Sequence, residues 1–138
     1  MNRYLLLDTA SEPARLGLSD GPKVAKAAAI TPRQELSRRL LGSIDALLKG
    51  AKCERGDLTA IGVVTGPGPF TGLRIGLAVA NALAAGLEIP IVAAERTAAP
   101  DLKALAAHTD REFAAGRTQA VALPNYGRPP SITLPKKK

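Results

Sequence analysis

Residues 66–69 read Gly-Pro-Gly-Pro. No strand or helix runs through two glycines and two prolines in four residues, because each proline removes a backbone donor and fixes φ. The chain on either side is apolar. Leu58 to Thr65 contains β-branched Ile61, Val63 and Val64 and has the length of a buried strand. Leu73 to Leu87 has no proline and consists mostly of Leu, Ala, Ile and Val, so it predicts a helix. Thr71 stands where its hydroxyl would cap that helix. The rest of the chain has to be arranged around this strand, glycine loop and helix.

Two rows run along the helix. Gly72, Gly76, Ala80 and Ala84 lie four apart, as do Ile75, Val79, Leu83 and Leu87. A row of small residues admits close approach of another backbone. That backbone can belong to a partner helix or to the protein's own sheet. The loop also has two readings. Glycine-rich turns at a helix N-terminus attract anions, so Asp8, Thr9, Gly66, Gly68, Thr71, Gly72 and Arg74 are candidates to surround a phosphate. The spacing is not that of a Walker loop, and no lysine follows the glycines. The other reading is a plain structural turn.

The flanking sequence supplies the remaining elements. Tyr4 to Leu7 is an apolar strand ending at Asp8, Ala14 to Ser19 alternates as a second strand, and Asp20-Gly21 turns into a third from Lys23 to Ile30. Thr31, Pro32 and Gln34 read as a helix start with a capping box. Leu36, Leu40, Ile44, Leu47 and Leu48 form that helix's apolar stripe, which runs to Gly50–Cys53. Ile89 to Ala93 is a short strand. A last helix is predicted over residues 100–115, with Gly116 at its C-cap. The order is β-β-β-α-β-α-β-α and a tail. Hairpins followed by parallel crossovers give an α/β fold: a ribonuclease H-like single lobe of the actin, Hsp70 and sugar kinase type, with a mixed five-stranded sheet flanked by helices.

Composition limits the chemistry. The 138 residues fit one domain. Cys53 and His108 are the only residues of their kinds, which excludes a disulfide within the chain and any multi-histidine or multi-cysteine metal cluster. His108 is placed on a helix surface. Four aromatic residues are too few for base-stacking platforms. The net charge of +7 admits a polyanionic partner such as RNA without requiring one. No signal peptide is legible, Glu88 and Pro90 interrupt the apolar stretch 75–94, and the expected setting is the cytoplasm, with no membrane.

Three stretches carry a family resemblance: Leu6-Leu7-Asp8-Thr9, Gly66-Pro67-Gly68-Pro69-Phe70-Thr71-Gly72-Leu73-Arg74-Ile75-Gly76, and Ile89-Pro90-Ile91-Val92. Together they resemble the TsaB (YeaZ) family, whose central motif is Gly-Pro-Gly-Ser-Phe-Thr-Gly-Leu-Arg. The ending Pro124-Asn125-Tyr126-Gly127-Arg128-Pro129-Pro130 is similar to that family's Pro-x-Tyr-x-Arg-x-Pro. The resemblance implies a non-catalytic partner of TsaD, the enzyme that transfers a threonylcarbamoyl group to adenosine 37 of tRNA. It implies no cofactor, contact with tRNA only through the complex with its other subunits, and a homodimer as a further assembly. By the same resemblance the partner interface falls on the two helices, at Leu36, Leu40, Leu73, Gly76, Leu77, Ala80 and Ala84.

The sequence departs from the family at Pro69, which replaces a serine, and at Gln34, where many members have histidine. Only 30 residues separate Ala93 from Pro124, where family members carry a second lobe. The expectation is a minimal form: a ribonuclease H-like lobe over 1–94, a helix within 95–116 packed on it, and a Pro- and Lys-rich tail over 117–138. The competing functions are a degenerate actin-like nucleotide binder and a ribonuclease H-like metal-dependent hydrolase using Asp8.

Overall fold

The computed structural model describes residues 2–125. Five strands form one sheet in the order β3-β2-β1-β4-β5. β1 (Arg3–Asp8), β2 (Ala14–Asp20) and β3 (Lys23–Ile30) are an antiparallel meander. β4 (Ala60–Gly66) lies parallel to β1, and β5 (Ile91–Glu95) parallel to β4. The sheet is the mixed one that the sequence predicts. β3 is an edge strand, and its register against β2 shifts between Leu18 and Ser19.

Alternation along β1 builds two cores. Leu5 and Leu7 point to one face, where they join Leu16, Leu18, Ile61 and Val63 under the helices α1 (Leu36–Gly50) and α2 (Phe70–Leu87). Tyr4 and Leu6 point to the other face, with Ala60 and Val64, under α3 (Leu102–Ala114). The predicted stripe of α1 is its buried stripe: Leu36, Leu40, Ile44, Leu47 and Leu48.

α3 lies close to the sheet because β4 carries a glycine at its middle. A Cβ on Gly62 would stand 2.1 Å from Thr109 Oγ1, and that hydroxyl donates to Leu105 O at 2.7 Å. On the same face, Tyr4 Oη donates to Asp110 Oδ1 at 2.8 Å while its ring packs edge-on against Phe113. Burial and the neighbouring Asp110 carboxylate push the Tyr4 phenol up to about 12.

Both predicted side-chain caps are corrected. Pro32 is extended, and a 3-10 turn over Arg33–Glu35 precedes α1, with no side-chain cap at either start. Thr31 Oγ1 donates to Glu12 Oε2 at 3.4 Å instead, and Gln34 is exposed. α2 begins directly after Pro69, whose carbonyl accepts from Leu73 N at 3.0 Å, so Thr71 lies inside the first turn. A capping box does occur, at Glu54 and Asp57 around the short turn before β4. α3 is capped by Asp101, whose Oδ1 accepts from Ala104 N at 2.8 Å.

The helix ends share one geometry. At Lys52, Glu88 and Gly116 the chain turns left-handed, and the next N–H reaches back to Leu48, Ala84 and Glu112 respectively. Only the third uses the glycine that such a turn favours. β5 starts at Ile91, two residues later than the apolar run suggests, because Pro90 has no N–H and contributes only its carbonyl, to Ile61 N.

Residues 117–125 form an irregular strap. Gln119 exchanges two backbone hydrogen bonds with Ile91, at 2.7 and 2.8 Å. The strap then crosses the β5 edge toward α2, and Asn125 N donates to Thr65 O at 2.7 Å. The strap occupies the first part of the tail predicted over 117–138, and the remainder, 126–138, lies outside the described residues.

Candidate partner-docking face and the glycine loop

The loop after β4 is held from inside. Asp8 is 1% exposed; its Oδ1 accepts from Ala10 N and its Oδ2 from Ser11 Oγ, both at 3.0 Å. These bonds shape the turn after β1, and the glycine loop lies against that turn. A Cβ on Gly68 would meet Ala10 O at 2.6 Å, one on Gly72 would meet Thr9 O at 2.7 Å, and one on Gly76 would meet Thr9 Oγ1 at 2.0 Å. Gly66, at φ +120°, leaves room for Asn125 O at 2.0 Å from where its Cβ would be. The loop's glycines are thus shaped to the chain's own backbone.

The seven candidates for a phosphate site divide accordingly. Asp8 and Thr9 belong to the β1 turn against which Gly68 and Gly72 pack, and Gly66 packs against Asn125. Thr71 and Arg74 are exposed, and the Arg74 guanidinium stands 5.4 Å over the Phe70 ring. Thr9 Oγ1 is buried with no hydrogen-bond partner among the described residues, directed at Gly76 in the helix wall.

The carboxylates of a metal site are not gathered. β1 and β4 are parallel, so Asp8 at the end of β1 lies at the opposite end of the sheet from Asp57, which precedes β4. Glu88 ends α2 and leads back into the start of β5, again at the far end. Among the described residues no three or more His, Cys, Asp or Glu are grouped to hold a metal ion. His108 is half-buried, with Nε2 3.1 Å from Ala93 O, and is more enclosed than a surface position. Cys53 is buried.

The candidate interface residues require a correction. Leu36, Leu40, Leu73, Gly76, Leu77, Ala80 and Ala84 are all buried within the chain itself. The small row of α2 packs on the sheet and the β1 turn, so these seven side chains are core. The helix keeps a second side. From Ile75 to Leu87 it has no charged residue, and Ala78, Ala82, Ala85 and Gly86 are exposed while Ile75, Val79 and Leu83 are half-buried. Leu41 on α1, 52% exposed, and Phe70, 53% exposed, add larger apolar groups. By length and apolarity α2 would suffice to cross a membrane; here its inner row is a layer of the core. The sole polar residue in that run, Asn81, holds the strap: its Nδ2 donates to Ala122 O at 3.0 Å and its Oδ1 accepts from Ala122 N at 2.8 Å. A lone amide in an apolar helix was the sequence signal for this contact.

Comparison with known proteins places the chain. A family model described as TsaD, tRNA N6-adenosine threonylcarbamoyltransferase, matches residues 24–126. The tRNA threonylcarbamoyladenosine biosynthesis protein TsaB of Escherichia coli is 33% identical over 90 residues, 65% of this chain and 38% of that protein. The TsaB of Bacillus subtilis is 42% identical over 57 residues, 41% of this chain and 25% of that protein. The solved structure of YeaZ from Pseudomonas aeruginosa superimposes with a TM-score of 0.64 at 30% identity, covering 69% of this chain and 44% of that one. The chain thus spans less than half the length of these relatives. Fold, motif and sequence agree that it belongs to the family of the threonylcarbamoyltransferase model, and within it to the TsaB/YeaZ proteins.

Proposed function

We propose that this chain is a non-catalytic partner subunit that docks on a TsaD-type enzyme in the cytoplasm and supports threonylcarbamoyl transfer to adenosine 37 of tRNA. One observation carries the reading. α2 presents thirteen successive residues without a charge, and its outer side is not covered by any described element. A helix of that composition at the surface has an apolar side that a partner can cover. The docking unit is the lobe of residues 2–94 with α3 packed on its second face. The partner would meet Ala78, Ala82, Ile75 and Val79, rather than the buried row. A second copy of the chain would use the same face in the enzyme's absence, and tRNA would be reached through the complex.

The test is reconstituted threonylcarbamoyl transfer to tRNA with the TsaD and other subunits of the same organism, with and without this chain. Transfer should depend on the chain. Ala78→Asp should bind TsaD at least ten-fold more weakly while remaining folded, since it places a charge in an apolar contact. Undiminished transfer when the chain is left out would end the proposal.

A further inference from the structure

We infer that the strap supplies two apolar anchors, Val121 and Leu123, to the same docking face, with Asn81 as the residue that positions them. The inference rests on the reading above. An 18-residue helix is about 27 Å long and offers a strip about 10 Å wide, about 270 Å² in projection. A stable interface covers about 800 Å² on each partner, so α2 alone is too narrow and its flanks must contribute. On one flank stands α1, with Leu36 Cδ2 3.9 Å from where a Gly72 Cβ would be. The other flank is the strap.

The strap is built to present side chains. The paired hydrogen bonds from Asn81 fix the Ala122 backbone, and the Ala122 methyl is buried in the core shared with α1 and α2. Val121 and Leu123, on either side of it, are therefore turned outward, at 54% and 74% exposed. Val121 borders a shallow, mostly apolar hollow that joins the strap to the end of α2, lined by Ala84, Ala85, Ile89 and Pro90 with Glu88 and Gln119 also at its wall. With Leu41 and Phe70, these are the large exposed apolar residues among those described. The match to the transferase model also extends through the strap, to residue 126. The partner that covers α2 is the occupant these anchors fit.

The experiment titrates the organism's TsaD into the full chain by calorimetry, comparing wild type, Ala78→Asp and the double variant Val121→Asp/Leu123→Asp. All three sites are exposed, so thermal midpoints should match and certify folding. The inference predicts that each variant binds at least ten-fold more weakly. Weakening by Ala78→Asp alone overturns the strap's role and leaves the helix face standing. Weakening by the double variant alone also overturns it, because the strap would then not extend the α2 face. No weakening by either removes both this inference and the docking face proposed above.

Discussion

The two sides of α2 are made of the same kind of residue and have opposite environments. The inner side is Gly72, Gly76, Ala80 and Ala84; the outer is Ala78, Ala82 and Ala85 with Gly86. Inside, smallness is required: Thr9 comes so close that even a methyl on Gly76 would fall 2.0 Å from its Oγ1. Outside, space is open, and what matters is the absence of charge over thirteen residues. The difference shows that a small-residue row is a demand for proximity, and the demand is met here by the chain's own β1 turn.

The comparison can be broken most directly at Gly76. Gly76→Leu should cost at least about 3 kcal/mol, the upper range of overpacking, seen as a lowered urea midpoint. A stable, folded variant would mean that the inner side is not the packed one. Such a variant tests folding, so it cannot serve as a probe of partner binding. Tyr4→Phe examines the opposite face of the sheet. Losing the bond to Asp110 should cost about 1 kcal/mol. Tyr4 titrates near 10 in the unfolded chain and about 12 when folded. Between those values the unfolded state binds fewer protons, so wild-type stability should fall as pH rises from about 10 to about 12, and denaturation scans of the variant should lack that component. Glu88→Gly, at the left-handed end of α2, should gain about 0.5–1 kcal/mol in chemical denaturation. The smallest change belongs to the outer side: Ala78→Asp should shift stability by no more than about 0.5 kcal/mol.

The sheet and its helices were legible because their signals are local. Hairpin turns, alternation in β2 and the stripe of α1 each lie within one element, and the bounds of β3 agree with its apolar run. What was not legible is which way a helix faces. Gly76 meets Thr9, whose place beside it depends on the sheet being assembled. The caps at Thr31 and Thr71 failed for a related reason. Threonine suits a cap, but Pro32 and Pro69 hold the N-cap positions of the 3-10 turn and of α2. Gly62 and Asn81 were anomalies in plain view, a glycine inside a strand and an amide inside an apolar helix. Each marks a contact with a segment that arrives later in the chain.

The sheet's two edges differ in how they resist self-assembly. The strap shields β5 by exchanging bonds with Ile91. Among the described residues β3 has no such cover, yet it carries Lys23 and Lys26 and a register shift against β2 at Leu18/Ser19. Charge and irregularity on an edge discourage strand-to-strand growth. Open-ended sheet extension, which would lead to aggregates, is thereby discouraged at both edges of this lobe.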